Sequence, residues 1–176
     1  MKLGQTPAET NMEKILDQRV SPQFKMVNDD KAFKAGYRWV GAASGSFIIS
    51  NPTTDVEMFI IGIEVWTFAN THIDYYLDPT YTDGTAITPT PYRLGSGATS
   101  QMQVIVNPTV SDTGTHILPD GVPGGQRWFA QGGSNEGLVG FILLPGHSLL
   151  VQITVTGATS TDFGFIASWW EIKSEG

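Results

Sequence analysis

The sequence predicts an all-β fold: a two-sheet antiparallel β-sandwich of jelly-roll type with a short amphipathic helix in an N-terminal arm. Three observations predict it. Apolar and polar side chains alternate with period two in run after run, Asx-Pro-Thr turns close three of those runs, and helical spacing occurs only ahead of Pro22. The expected organisation is an arm over residues 1–22 and a sandwich domain over residues 23–176.

The chain opens on Thr6-Pro7-Ala8-Glu9, a capping box with Pro at the first helical position, where its missing N–H costs nothing. Ala8, Met12, Ile15, Leu16 and Val20 then recur at helical spacing, and Ser21-Pro22 ends the run. A helix of roughly fourteen residues would be ~21 Å long, against a radius of gyration of ~16 Å for a compact chain of this size. It is long enough to lie across the end of its own sandwich or to reach a neighbour with the Met12, Ile15, Leu16 and Val20 stripe.

Beyond Pro22 the patterns are those of strands. Phe24 to Val27 and Tyr37 to Val40 are short candidates, and Ser46 to Ser50 is a strand closed by Asn51-Pro52-Thr53. Met58 to Phe68 is the longest apolar run, with Phe59, Ile61, Ile63 and Val65 on one face and Ile60, Trp66 and Phe68 on the other, as for a central strand covered on both sides. Gly62 and Glu64 interrupt its second face. Ile73 to Leu77 ends at Asp78-Pro79-Thr80, and Gln101 to Val106 turns Met102, Val104 and Val106 inward before Asn107-Pro108-Thr109. Leu138 to Leu144 is apolar on both faces and stops at Pro145-Gly146, which suits a type II turn and hence a corner between sheets. The last two strands are the clearest: Leu149, Val151, Ile153 and Val155 share one face, and Phe163, Phe165, Ala167 and Trp169 share another. They read as an antiparallel hairpin across Gly157 to Thr161.

Composition narrows the function. The 176 residues contain no cysteine, which removes disulfides, thiolate metal sites and cysteine nucleophiles. A net charge of −7, with ten Lys and Arg spread along the chain, argues against a nucleic-acid partner. No segment approaches the ~20 apolar residues of a membrane helix and no leader pattern opens the chain, so a soluble protein without membrane or secretion signal is expected. Charged residues make up 15%, below the ~25% of ordinary domains, and a surface so low in charge suits an assembly.

No catalytic or metal pattern stands out. His72, His116 and His147 are far apart and form no HExxH-type pair, and no Gly-x-Ser-x-Gly elbow or phosphate loop is present. No catalytic residue, metal ligand or cofactor is therefore expected. His72 and Asp74 would share a strand face as a solvated edge. Asp74, Asp78 and Asp83 cluster near one turn and could hold a calcium ion, but their spacing matches no EF-hand loop, so a solvated acidic turn is expected.

Two stretches are candidate interfaces. Asp120 to Gly137 reads as a long Gly-rich loop with Arg127-Trp128-Phe129 in its middle; these are an interface anchor, a sugar-stacking platform, or a cover for the sandwich's own end. Trp169 and Trp170 are neighbours in a strand, so one faces inward and the other outward, where a neighbouring chain would cover it.

Asp83-Gly84-Thr85-Ala86-Ile87-Thr88-Pro89, Arg93-Leu94-Gly95-Ser96-Gly97, Asn107-Pro108-Thr109, Leu143-Leu144-Pro145-Gly146 and Trp169-Trp170-Glu171 occur in an order that resembles a family of tailed-bacteriophage structural proteins. The resemblance covers roughly Phe47 to Ile172. It implies a virion component, a decoration or cement protein on the outer capsid surface, with the major capsid protein as partner and a homotrimer as the expected assembly. A tail or fibre component with a carbohydrate-binding face is the alternative.

Overall fold

The computed structural model of the protein describes residues 22–122, 126–129 and 140–173. The helix expected between Thr6 and Val20, with Met12, Ile15, Leu16 and Val20, lies outside the described residues. In chain order the elements are α1 (Pro22–Asn28), β1 (Ala32–Ala42), β2 (Ser44–Ser50), β3 (Val56–Thr67), β4 (Thr71–Leu77), β5 (Thr80–Thr82), β6 (Thr85–Ile87) and β7 (Thr90–Pro91). There follow β8 (Gln103–Val106), β9 (Thr109–Asp112), β10 (Thr115–Val122), β11 (Gln126–Phe129), β12 (Ile142–Leu143), β13 (Ser148–Val155) and β14 (Thr161–Lys173).

Two antiparallel sheets face each other. The first runs β11-β3-β14-β1-β7, with β12 also on β3, and the second runs β10-β4-β13-β2-β8-β6. The pairings nest: β1 with β14, β2 with β13, β3 with β11 and β12, β4 with β10. Successive strands of this rolled-up ribbon alternate between the sheets, which is the jelly-roll topology expected from the sequence. The nesting also corrects the expected hairpin. β13 lies between β2 and β4 while β14 lies between β1 and β3, so the two most regular strands are in opposite sheets. Alternation reports that one face is buried; it does not report the partner strand.

The core lies between the inner faces. Phe47 of β2 stacks on Phe165 of β14 across the gap, with centroids 3.6 Å apart, and Trp39 stacks on Phe163 at 5.0 Å. Ile49, Leu149, Val151, Ile153, Val104, Val106 and Met102 complete it from the second sheet, as their periodicity predicts. Each such side chain removed from water is worth about 1.5–3 kcal/mol.

The three Asx-Pro-Thr stops each follow the last residue of a strand, β2, β4 and β8 respectively, and their side chains do more than turn the chain. Buried Asn51 donates from Nδ2 to Val56 O (2.7 Å) and Leu143 O (2.9 Å), joining the end of β2 to both β3 and β12 of the facing sheet. Asn107 Oδ1 accepts from Trp39 Nε1 at 2.7 Å, and Asp78 Oδ1 accepts from Ser148 N at 3.1 Å. The Pro145-Gly146 corner is also present: His147 N donates to Leu144 O, and Gly146 has φ +81°, a conformation that glycine adopts without strain.

Three other expectations change. Phe24 to Val27 lies in helix α1, because Pro22 opens a new helix at its first position as readily as it ends an old one. The stretch Asp120 to Gly137 is not wholly irregular, since Asp120–Val122 finishes β10 and Gln126–Phe129 pairs with Thr67 to Glu64 of β3 as an edge strand. Strand β3 does not keep one parity. Ser168 opposes Gly62 and Trp169 opposes Ile60, leaving Ile61 as a bulge. The inward set therefore switches from Val56, Met58 and Ile60 to Ile63, Val65 and Thr67, and Phe59 and Ile61 face outward.

Candidate interaction surface

The outer faces of the two sheets have different fates. On the second sheet, Ile48 and Leu150 oppose each other on the side away from the core, yet both are fully buried. The two-stranded ribbon β5-β9 reaches this face, where Tyr81 Oη meets Ser50 Oγ at 3.2 Å, the same hydroxyl that Ser148 Oγ reaches at 3.2 Å. Around this ribbon the face is polar, with His72, Asp74, Gln152 and Thr154. His116 Nε2 lies 3.2 Å from Asp74 Oδ1, and His147 Nδ1 lies 2.8 Å from Asp78 Oδ2. Asp74 and Asp78 thus have different partners and Asp83 occupies a turn with φ +57°, so the acidic trio does not converge. Among the described residues no three His, Asp or Glu gather in a way that could hold a metal ion.

On the first sheet the outer face carries an apolar row among charged side chains, and among the described residues no third sheet covers it. Cross-strand pairing sets Ile142, Phe59, Trp170 and Ala32 in one row across β12, β3, β14 and β1. Phe59 and Trp170 are half-buried, and Ile142 is 46% exposed. Ile166 and Ile172 extend the surface along β14 on the same parity. Tyr92 leans over its β1 side, where its hydroxyl meets Ser168 Oγ at 2.7 Å and Lys34 Nζ stands 5.3 Å from its ring.

At the far end of β3, Trp66 lies across Gly164, where a Cβ would come within 2.7 Å of the indole, so only glycine lets the ring rest on the sheet. Arg38 stands 5.8 Å from that ring and Phe68, 68% exposed, meets it edge-on. Asp162 binds Arg38 Nη2 at 2.6 Å and accepts from Gly41 N at 2.8 Å, closing the bulge at the end of β1. The Arg38 hydrogen bond first, then the Gly41 amide, holds the Asp162 carboxyl below its usual range.

Trp169 and Trp170 divide as expected from strand geometry. Trp169 is fully buried and donates from Nε1 to Glu171 Oε1 at 3.0 Å, whereas Trp170 is the outward member of the Phe59 row. Buried Glu171 also accepts from Ser100 Oγ and, at 3.1 Å, from Gln101 N, so the motif's carboxylate fastens the segment before β8 to the last strand. Arg127, Trp128 and Phe129 lie in register with Trp66, Val65 and Glu64, at the opposite end of β3 from Trp170; their side chains fall outside the described part of the structure. The two candidate segments therefore pair with opposite ends of β3 in one sheet.

Phe59 and Ile142 escape a reading of the sequence alone. Phe59 belongs to a run whose period looks unbroken, and the available signal was Gly62 inside a strand, a mark of a bulge. No protein-family model matches the chain, and no curated protein matches it.

Proposed function

We propose that the chain is a structural component of a tailed-bacteriophage virion: a decoration protein that self-associates, as a trimer, and binds the major capsid protein on the outer capsid surface to stabilise the lattice. The observation that carries this reading is the partly exposed apolar row Ile142–Phe59–Trp170 on the outer face of the first sheet, beside a second sheet whose own outward Ile48 and Leu150 are buried within the molecule. An exposed apolar surface of this kind marks an interaction site. The order of motifs that resembles phage structural proteins names the setting. On this reading the protein is no enzyme and needs no cofactor; its work is mechanical, adding buried area between capsid subunits. Several weak contacts per oligomer act together through effective concentration.

Imaging purified virions with and without the protein is the test, with added density expected on the head exterior. Density confined to the tail overturns the decoration reading. Removal of residues 1–20 is expected to abolish particle binding while the β-sheet circular dichroism persists; full occupancy by the truncated chain removes the arm from the attachment.

A second reading, a tail or fibre component that binds glycans, is favoured by Trp66 lying flat over Gly164 with Arg38 beside it, since sugar rings stack on such aromatic surfaces. Glycan-array binding that disappears in Trp66→Ala or Trp128→Ala would select this reading, and absence of binding by the wild type removes it.

A further inference from the structure

We infer that residues 8–20 of one copy dock on the Ile142–Phe59–Trp170 surface of the next, so that each chain gives one arm and takes one. The inference rests on the self-association proposed above and names the two surfaces that make it. The arm is rooted at the right end of the sheet. Helix α1 leads into β1, Lys31 O accepts from Glu171 N at 2.9 Å, and Ala32 stands opposite Trp170. Arg93 Nη1 reaches Asn28 O at 3.2 Å and ties the end of α1 to the segment after β7. The chain before Pro22 is therefore attached beside the row. The two surfaces also match in extent. From Ile166 to Ile172 the outward residues of β14 run ~20 Å, and from Ala32 to Ile142 the row crosses ~14 Å. A helix from Ala8 to Val20 would be ~18 Å long and ~10 Å wide, with Met12, Ile15 and Leu16 along one side. Gly62 and Ser168, paired beside the row, have too little bulk to hold such a helix off.

The joint at Ser21 decides whose sheet receives the stripe. Only this residue stands between Val20 and Pro22, and a residue before proline is extended. Helices that fold back on each other need a loop of at least about two residues. Helix α1 already carries the chain ~9 Å from Asn28 back to Pro22. A stripe tethered by one extended residue does not turn back over α1 to its own row, and it is presented to a neighbour's. Arm and row are unlike surfaces, so chains joined this way associate head to tail and can close as a ring. Three arms in three rows make the trimer. One contact has a footprint of ~180 Å², well below the ~800 Å² that each partner gives to a stable pair. Closure supplies the rest, because it holds every chain by two contacts at once.

The chain has no cysteine, so introduced cysteines report this contact. A full-length Leu16→Cys chain mixed with an Ile142→Cys chain and treated with a short bismaleimide, without virions, is expected to give mainly the mixed covalent pair. A chain carrying both substitutions is expected to give covalent trimers. Cross-links confined within single chains overturn the exchange, and pairs joined mainly through position 142 on both chains overturn the arm as occupant. Sedimentation velocity from nanomolar to tens of micromolar gives the second readout. Association is expected to weaken at least tenfold in Leu16→Glu and in Ile142→Glu, and to stay unchanged in Gln152→Lys on the other sheet. Circular dichroism accompanies each variant; Ile142 is exposed, so its substitution reads association rather than folding. Wild-type oligomers that keep their affinity in both variants overturn the inference and leave self-association standing. A wild-type chain that stays monomeric at tens of micromolar overturns both.

Discussion

The two sheets carry apolar residues outward to a similar degree and treat them in opposite ways. On the second sheet Ile48 and Leu150 are fully buried, and Tyr81 of the β5-β9 ribbon meets Ser50 on the same face. On the first sheet Phe59, Ile142 and Trp170 form a row that stays partly exposed, with Tyr92 at one margin. The outward apolar pair of the second sheet is buried within the chain, and on the function proposed above the row on the first sheet is finished by another.

Substitutions on either side of that divide should have unequal consequences. The largest contrast is between neighbours in β14. Trp169→Ala opens the core and removes the donor to Glu171, for an expected loss of about 3–5 kcal/mol in chemical denaturation. Trp170→Ala, measured where the chain is monomeric, is expected to cost less than about 1 kcal/mol. Equal losses would mean that Trp170 is covered within the molecule.

Next comes the link between the sheets. Asn51→Ala leaves the Leu143 carbonyl without its Asn51 donor and Val56 O with the Thr53 hydroxyl alone, an expected loss of about 2 kcal/mol. A smaller effect, about 1 kcal/mol, is expected from Tyr81→Ser, which removes the clasp on Ser50. Its more telling readout is dye binding, because uncovering Ile48 and Leu150 should make the second sheet resemble the first; an unchanged dye signal would show that the ribbon holds without Tyr81.

The smallest effect is electrostatic. Asp162 has a lowered carboxyl pKa because of Arg38 and the Gly41 amide, so its contribution is complete above the ordinary aspartate value of about 3.9 and is lost as pH falls through the lowered value. Wild type is therefore expected to exceed Asp162→Asn slightly in melting temperature at neutral pH, and the gap should close in acid. The pair is largely solvent-facing, so a large gap would contradict this placement.

The fold class was legible because strand alternation and the Asx-Pro-Thr stops are local signals, and Asn51, Asp78 and Asn107 each stand one residue past a strand end. Pairing was not legible. β13 and β14 look like neighbours in sequence, but a jelly roll joins β1 to β14 and β2 to β13, and no local pattern carries that distance. Of the interface residues, the division between Trp169 and Trp170 followed from strand geometry alone. Phe59 was hidden by the bulge at Ile61, where one extra residue exchanges the faces of half a strand.

Covalent-labelling footprinting of the protein, dilute and then assembled on virions, measures the unequal faces most directly. Protection of Phe59, Ile142 and Trp170 on assembly, with Tyr76 and His116 of the other sheet labelled as before, is the expected result. Labelling of the Phe59 row that stays equal in both states would contradict it.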